Sequence, residues 1–370
     1  MQKHTQKKHI ILAGGGHVHL TALKNIRELI DHGHKVSLIS PSSHHYYSGM
    51  GPGLLAGNYT PDEIRFNIKQ MALDRGVDFV QGYIVKALPE ERKIILDTGQ
   101  ALTYDIASFN VGSKIPFGSI SSSLPNLFPV KPIENFEKAR KKVQRLLEKN
   151  IPELVVIGGG PAALEVSGAL WQLSQNADKT SNITVVAGKE FLMGLPKKVV
   201  KIARKSFSAK KIKILEGVLA KSVDKDKVIL DNGKEIPYDC AMLAWGVGAQ
   251  DIFESFPTGP DNNLLVNKFL QCTEYPEVFG GGDCIYFKDQ PLAKVGVYAV
   301  RQNPILWHNI KAMAMDTPMK EFNPGPPYLL IFNLGGGKGV FYWKNLAFSG
   351  KWCFWLKNYI DIKFMKTFQD

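Results

Sequence analysis

Apolar runs that end in glycine-rich turns and lead into helical patterns mark two places in the chain. The first run ends at Leu12, and apolar residues then recur with helical spacing at positions 20, 23, 26 and 30. The second run ends at Ile157 and precedes apolar residues at 166, 169, 170 and 173. A buried parallel strand is continuously apolar, whereas a helix repeats every three or four residues. The pattern therefore predicts two strand–turn–helix units.

The first turn has the glycines that a bound pyrophosphate requires. Gly14 permits a tight turn out of the strand, and Gly16 lets the backbone approach phosphate without a Cβ in the way. The helix N-terminus supplies N–H donors and a favourable dipole. His19 stands where the fingerprint has its third glycine, so we expect the helix and the strand to pack slightly further apart. Ser40 stands where an acid would bind a ribose hydroxyl.

The second turn fits the dinucleotide fingerprint more closely. Gly158 and Gly160 hold the first two positions and Ala163 the third, where a small residue keeps helix and strand close. The strand predicted at 183–186 ends without an acid and is followed by Lys189. An acid there would favour NADH, while a cation tolerates the additional phosphate of NADPH. Lys189 is thus either a determinant for NADPH or a solvated loop lysine.

A third glycine run, at 280–282, ends in Asp283. The two halves of the chain also echo each other, because a hairpin pattern at 93–99 and a Tyr-Asp pair at 104–105 recur at 227–233 and 238–239. Two copies of one nucleotide-binding plan explain this order. Two glycine turns with a late Gly-Asp indicate a chain that holds two dinucleotides, as a flavoenzyme supplied by a nicotinamide does.

The remaining segments suggest where the domains divide. Residues 43–53 read as a long aromatic loop in which His44 and His45 either act as acid–base groups or cap the loop. A Ser/Pro-rich stretch at 119–131 suggests a domain crossing, and a charged helix is predicted at about 133–149.

Composition favours a chain of two or three domains with an anionic partner. The chain has 370 residues, and its formal net charge of +12 suits nucleic acid, an acidic protein or an anionic membrane. No nucleic-acid motif accompanies this charge. The four cysteines form no Cys-x-x-Cys pair and no metal-ligand spacing, so we expect a reduced, cytosol-facing protein without a metal site. No apolar run reaches the roughly 18 residues of a membrane-spanning helix.

The last residues interleave tryptophan and lysine on a helical pattern. Trp343, Trp352 and Trp355 lie among lysines at 344, 351, 357, 363 and 366. This suits an interfacial helix with its rings at the headgroup level and its lysines on anionic lipid. The other interpretation is a helix docked on the protein's own core with its lysines outward.

The chain resembles the flavoproteins with two dinucleotide-binding domains, that is, the pyridine nucleotide-disulfide oxidoreductase fold. Within them it is similar to type II NADH dehydrogenases and their sulfide:quinone oxidoreductase relatives, and most of all to a subgroup found alone or fused to selenide, water dikinase. The likeness is carried by Gly-Gly-Gly-His-Val-His-Leu at 14–20, Tyr-Ser-Gly-Met at 47–50 and Val-Tyr-Ala-Val-Arg-Gln at 297–302.

The resemblance implies an α/β fold with two Rossmann-like, three-layer ββα domains, the second inserted in the first, and a C-terminal α+β tail. We therefore expect an FAD-binding domain at 1–118 and 249–325 and an NAD(P)-binding domain at 119–248. Residues 326–370 would then face the membrane and the electron acceptor.

The resemblance also assigns site residues. Glu165 matches a family glutamate at the nicotinamide–flavin junction, and Gln302 matches the last glutamine of a quinone motif. Lys294 either stabilises reduced flavin near its pyrimidine edge or is a solvent lysine. The positions expected to bind FAD or NAD(P)H are Gly14, Gly15, Gly16, His17, Ser40, Val85, Gly112, Asp283, Gly158, Gly160, Pro161, Ala163 and Gly246.

The expected function is that of an FAD-dependent NAD(P)H dehydrogenase, peripheral on the cytoplasmic face of a membrane, that passes electrons to a quinone. Disulfide reductases and sulfide oxidisers need a thiol pair beside the flavin, and the first 239 residues contain no cysteine. Two alternatives stay open: a soluble oxidoreductase with a different, selenium-linked acceptor, and a redox-responsive protein that holds FAD without turnover. A homodimer is also left open.

Overall fold

The computed structural model describes residues 6–118, 120 and 124–369. In chain order its strands are β1 (His9–Ala13), β2 (Lys35–Ser40), β3 (His45–Tyr46), β4 (Arg65–Phe66), β5 (Asp78–Gln81), β6 (Ile84–Leu88), β7 (Lys93–Leu96), β8 (Ala101–Thr103), β9 (Ile106–Phe109), β10 (Leu127–Pro129), β11 (Glu153–Ile157), β12 (Asn182–Val186), β13 (Lys213–Leu215), β14 (Ala220–Val223), β15 (Lys227–Leu230), β16 (Glu235–Pro237), β17 (Cys240–Leu243), β18 (Leu264–Val266), β19 (Val278–Gly280), β20 (Ile285–Phe287), β21 (Leu330–Gly335), β22 (Lys338–Trp343) and β23 (Leu346–Gly350).

The helices follow the same order. They are α1 (Leu20–Asn25), α2 (Arg27–Asp31), α3 (Gly51–Ala56), α4 (Ile68–Leu73), α5 (Glu134–Leu147), α6 (Pro161–Asn176), α7 (Lys197–Ala209), α8 (Gly296–Met315) and α9 (Lys351–Gln369). Short 3₁₀ turns cover His17–His19, Ser48–Met50, Asp62–Ile64 and Gly282–Cys284.

The chain divides into two compact units, each made of three segments. Unit 1 comprises Met1–His45, Arg65–Lys114 and Val247–Pro326. Unit 2 comprises Tyr46–Ile64, Ile115–Gly246 and Pro327–Asp370.

Two segments belong to a different unit from the one that their place in the sequence suggested. The sequence predicts residues 46–64 in the first domain and the tail as a separate segment, but both belong to unit 2 together with the sheet of the second glycine turn. The reason is that α3 is wholly buried and contacts α5 and α6, and that β21 packs along α6.

A five-stranded parallel sheet forms the centre of unit 1, in the order β19-β9-β1-β2-β5. Residues 10–13 of β1 are fully buried, which explains their continuous apolar character. Its carboxyl end leads into the first glycine turn.

Unit 2 repeats this plan with a parallel sheet in the order β10-β17-β11-β12-β13. The Tyr-Asp echo of the sequence marks equivalent anchor points in the two units. The carboxylate of Asp105 accepts a hydrogen bond from His9 N at 2.6 Å, and that of Asp239 accepts one from Glu153 N at 2.8 Å. In each unit an aspartate therefore fixes the first residue of the strand that ends in the glycine turn.

Each unit also has antiparallel sheets. Strands β6, β7 and β8 form one in unit 1, and β14, β15 and β16 form its counterpart in unit 2. The tail adds β21, β22 and β23, followed by α9, which packs on β22. Cys353, Asp361 and Met365 of α9 are buried, while Trp355 and Tyr359 are exposed.

Three local expectations need correction. The helix predicted across residues 20–30 is interrupted at Ile26. The strand predicted at 79–85 breaks at Gly82. Residues 43–53 are not one loop, because α3 begins at Gly51 and its first turn packs against Phe136. Part of the proposed Ser/Pro-rich linker, residues 119 and 121–123, lies outside the described residues.

Candidate functional site

The first glycine turn lies where backbone from two strands meets too closely for side chains. Gly14 has φ +95° and donates from its N–H to Ile39 O at 2.8 Å. A Cβ at Gly14 would lie 2.3 Å from Asn110 O, and one at Gly16 would lie 2.7 Å from Asn110 Oδ1. Glycine is therefore required at Gly14, where a Cβ would meet backbone, whereas a Cβ at Gly16 would displace the Asn110 amide.

Asn110 contributes a buried polar atom to this turn. Its Nδ2 is buried and has no hydrogen-bond partner among the residues that the structure describes. A buried amide N–H without an acceptor costs free energy, so such groups are rare in folded proteins unless a ligand or water pairs with them. The glycine cradle and this amide fit a ligand that brings acceptor oxygens to the turn.

His19 ties the turn to the neighbouring strand. The imidazole is fully buried, with Nδ1 2.6 Å from Gly14 O and Nε2 2.8 Å from Ser108 Oγ. A carbonyl oxygen only accepts, so Nδ1 carries the proton and Nε2 accepts from the Ser108 hydroxyl. Burial lowers the pKa of His19 to about 4, opposed in part by the bond to Gly14. The third-glycine position is thus filled by a neutral side chain that bonds both elements.

His17, the next predicted site residue, pairs with His45. Their Nδ1 and Nε2 atoms are 2.9 Å apart, and the rings meet edge to face with centroids at 4.6 Å. The ring of His45 also stacks on Phe66. Burial and the neighbouring His17 lower the pKa of His45 well below its usual value. His45 is therefore part of a partly buried imidazole pair beside the glycine turn.

Three further predicted residues line one small cavity of unit 1: Asp283, Lys294 and Gln302. The carboxylate of Asp283 accepts from Ser113 Oγ at 2.9 Å. Gln302, on α8, accepts from Gly282 N at 2.7 Å and so fixes the turn before Asp283.

The ammonium of Lys294 is already engaged within unit 1. It lies 3.0 Å from Asp261 Oδ2 and donates to Ile285 O at 2.5 Å. Lys294 is accordingly neither a free solvent lysine nor an unpaired cation.

The other predicted positions of unit 1 are more dispersed. Ser40 is buried at the end of β2 and donates to Ser42 O at 2.9 Å. Gly15 packs against Ile68, and Gly112 has φ +67° with open space at its Cβ position. Val85 is exposed on β6, in the antiparallel sheet and not in the sheet that carries the glycine turn.

The second glycine turn reproduces the geometry of the first. Gly158 has φ +139° and donates to Val186 O at 2.9 Å, and its Cβ would lie 2.2 Å from Ala244 O. Gly160 precedes α6, a helix of 16 residues that begins with Pro161. Pro suits this first helical position because its missing N–H would be unpaired there in any case.

The third fingerprint position in unit 2 allows close helix packing, because Ala163 is fully buried. Gly246, after β17, has open space at its Cβ position. One turn into α6, the carboxyl of Glu165 accepts from Asn333 N at 2.8 Å, and burial raises its pKa. The exposed Lys189 follows β12, as the sequence indicated.

The cysteines show no nucleophilic environment. All four are buried and free of disulfides. Burial raises the pKa of Cys240 to about 12 and that of Cys284 to about 11. The Cys284 thiol donates to Gly281 O at 3.3 Å. Because the thiolate is the reactive form, these raised pKa values oppose thiol chemistry.

Sequence reasoning missed three contributors: the Asn110 amide, the bridging role of His19, and the ion pair of Lys357 with Asp361 beneath the tail. The i,i+4 spacing of Lys357 and Asp361 was a usable signal for the last. Nothing local to Asn110 marks its amide as unpartnered, because that depends on the fold of β9 against β1.

No helix within the described residues is long and apolar enough to cross a membrane. The chain is 22% identical to a probable NADH dehydrogenase of Dictyostelium discoideum, over 94% of this chain and 80% of that protein. It is 26% identical to ferroptosis suppressor protein 1 of Taeniopygia guttata, over 72% of this chain and 71% of that protein.

Two solved structures share the fold. NDH2 from Plasmodium falciparum, in complex with NADH, has a TM-score of 0.80 with this chain, at 16% identity and 99% coverage of both chains. The sulfide:quinone oxidoreductase of Aquifex aeolicus has a TM-score of 0.79 at 20% identity, covering 98% of this chain and 91% of that one. The expected α/β fold with two dinucleotide-binding units is thereby confirmed. A family model matches residues 8–314, and the chain belongs to the pyridine nucleotide-disulphide oxidoreductase family.

Proposed function

We propose that this protein is an FAD-dependent NAD(P)H oxidoreductase that delivers electrons to a quinone without a redox-active disulfide. The observation that carries the proposal is the pair of equivalent glycine turns, one per unit, each closed so tightly that a Cβ at Gly14 or Gly158 would meet backbone. Family membership supports FAD and NAD(P)H as the two dinucleotides. When bound, FAD supplies the redox chemistry, because its ring accepts a hydride and passes electrons on singly or in pairs.

Unit 1 supplies the groups suited to FAD. The turn at Gly14, Gly15 and Gly16 leaves backbone space for a pyrophosphate, with the Asn110 amide as an additional donor. His17 would face the same phosphates, and Ser40 and Val85 the adenosine side. Gly112 and Asp283 would bind the remaining polar groups of FAD.

Unit 2 supplies the groups suited to the nicotinamide dinucleotide. Gly158 and Gly160 would receive its pyrophosphate at the N-terminus of α6, where the helix dipole favours an anion. Pro161, Ala163 and Gly246 complete this site. With no acid at the end of β12, both NADH and NADPH are candidate donors.

The tail supports an anionic membrane as a partner. One face of α9 exposes Trp352, Trp355 and Tyr359, with exposed fractions of 47%, 62% and 53%. Exposed lysines at 363 and 366 continue that face. Exposed aromatic rings beside lysines suit the headgroup region of an anionic bilayer. Lys357 is an exception among the tail lysines, because it points inward.

The test of this function combines flavin content with turnover. We expect the purified protein to carry non-covalent FAD and to oxidise NAD(P)H faster when a water-soluble quinone is added. If the FAD-dependent rate of NAD(P)H oxidation does not change when quinone is added, a different acceptor, such as a selenium compound, is favoured. Tight FAD binding with no oxidation by any acceptor would leave a redox-responsive binding protein. An apoprotein that gives neither flavin absorbance nor a thermal shift with FAD would exclude all three.

A glycine substitution makes the flavin test specific to the turn. Gly16→Ala places a Cβ 2.7 Å from Asn110 Oδ1, so we expect at least a ten-fold loss of FAD affinity, about 1.4 kcal/mol. Gly350→Ala is the matched control, because its Cβ meets only Trp352 Cδ1 at 3.7 Å. Equal FAD affinity in the two folded variants would argue against the first turn as the flavin site.

A further inference from the structure

The tail helix brings an ion pair into unit 2. Lys357 and Asp361, one turn apart on α9, lie with Nζ 2.7 Å from Oδ2 and are both largely buried. Their face of the helix also carries the buried Cys353 and Met365. Because an unpaired buried charge is strongly unfavourable, each of these two groups requires the other.

The segment 46–64 closes the site from another side. Tyr47 donates from its hydroxyl to Asp361 Oδ1 at 3.0 Å, and Lys357 donates to Gly49 O at 2.7 Å. Nearby, the Tyr59 hydroxyl donates to Asn358 Oδ1 at 2.5 Å. Burial raises the pKa of Asp361, and the Lys357 ammonium and the Tyr47 hydroxyl oppose that rise. Because both oxygens of Asp361 accept hydrogen bonds, one from the ammonium and one from the hydroxyl, these contacts favour its carboxylate form.

Glu165 is the second carboxyl of this site and is bound differently. Its Oε1 accepts from Asn333 N at 2.8 Å. Within the described part of the chain, its Oε2 has no hydrogen bond and the residue forms no ion pair. Burial raises the pKa of Glu165 and the Asp361 charge adds to this, against the opposing effects of Lys357 and Asn333.

The charges explain the difference between the two carboxyls. One ammonium serves two carboxyl groups, so the site is neutral only when one carboxyl is protonated. Burial alone would lower the pKa of Lys357, but the paired Asp361 carboxylate raises it, and Glu165 adds to this only when it is ionised, so the ammonium stays charged. The other titratable groups that face the site are Tyr47 and Tyr59, and burial raises the pKa of both, that of Tyr59 to about 12. Of the two carboxyls, Glu165 therefore takes up a proton more readily, because Asp361 has the ion pair and a second hydrogen bond whereas Glu165 has only the bond from Asn333 N.

We propose that Asp361, oriented by Tyr47, is a positioning residue that holds the Lys357 ammonium away from Glu165 and so keeps Glu165 as the proton-exchanging carboxyl of the site. The use of that proton rests on the proposed function: reduction of a quinone to its hydroquinone by one hydride consumes one further proton. The charge division itself is a property of unit 2 and can be measured without turnover.

The test is a titration of the Glu165 carboxyl in the resting protein by infrared difference spectroscopy, with Glu165→Gln to assign the band. In Asp361→Asn the ammonium loses its carboxylate and turns to Glu165. We expect the midpoint of the Glu165 band to fall by about 1 to 3 pH units, as an opposite charge within 4–6 Å dictates. Asp361→Glu should restore most of the midpoint. Tyr47→Phe should lower it by a smaller amount.

The matched control removes a carboxylate from an exposed i,i+4 pair of the same unit. Glu137→Gln breaks the pair with Lys141 on α5 and should leave the midpoint unchanged. An unchanged midpoint in folded Asp361→Asn would overturn the inference. If that variant does not fold, an unchanged midpoint in Tyr47→Phe would overturn it instead. A shifted midpoint in a protein that reduces no quinone would leave the inference standing and remove the proposed function.

Discussion

At the scale of single residues, the first glycine turn is packed and bonded by side chains that are not part of the dinucleotide-binding fingerprint. His19 replaces a glycine yet bonds Gly14 O and Ser108 Oγ at once. Gly14 and Gly16 leave their space to Asn110. The turn is thus held by a neutral imidazole, so its integrity depends on the protonation of one histidine.

That dependence predicts an acid-sensitive stability. The pKa of His19 is 6.5 when unfolded and about 4 when folded, so the unfolded chain binds the proton first as the pH falls. The contribution of neutral His19 to the free energy of unfolding, on the order of 3 kcal/mol, is complete above pH 6.5 and is lost as the pH falls towards 4. His19→Gln should flatten the fall in the urea midpoint over this interval. The exposed His32→Gln should not, and equal slopes in both variants would contradict this role.

At the scale of elements, α9 packs one side on unit 2 and exposes aromatic residues on the other. Its inner side holds Lys357 and Asp361 in unit 2, whereas Trp355 and Tyr359 face outward. Removing the helix from Gly350 onward would therefore disrupt a buried charge site as well as a surface. Membrane binding is better tested by surface substitutions than by truncation.

We expect Trp355→Ser combined with Tyr359→Ser to weaken binding to anionic vesicles by more than ten-fold, because two rings leave the headgroup region. High salt should weaken the unmodified protein's binding without abolishing it, since salt screens the lysines and not the apolar contact. Tyr83→Ser, at an exposed tyrosine of unit 1, is the control. Equal vesicle binding by the unmodified protein, the double variant and Tyr83→Ser would show that α9 packs on the protein and does not bind the membrane.

Some of the elements could be predicted from the sequence, and others could not. Both glycine turns, their strands and the buried face of α6 were predictable because apolar periodicity and glycine spacing are local signals. The grouping of 46–64 with the tail was not, because it depends on tertiary contacts such as that of Tyr47 with Asp361. The same holds for the Asn110 amide, whose missing partner becomes visible only once β9 lies beside β1. Among the residues predicted to bind a cofactor, Val85 lies on β6, in a separate sheet from the strand that leads into the first glycine turn.

At the scale of the whole molecule, two units whose parallel sheets share the order of four strands carry equivalent turns, and the cysteines take no part in either. The units repeat the aspartate anchor, the closed glycine and the antiparallel sheet. All four cysteines are buried and unpaired. The central claim is therefore that this chain accepts a hydride from NAD(P)H on bound FAD without any protein thiol.

The most direct test is anaerobic reduction of the bound flavin by NADH and by NADPH in a variant with all four cysteines replaced by alanine. Alanine is preferred to serine because each site is buried and a hydroxyl there would need a partner. We expect the flavin absorbance to bleach at a rate within a few-fold of the unmodified protein with at least one of the two donors. The account would be contradicted if neither donor bleached the flavin of a folded, FAD-loaded variant under conditions in which the flavin of the unmodified protein is reduced.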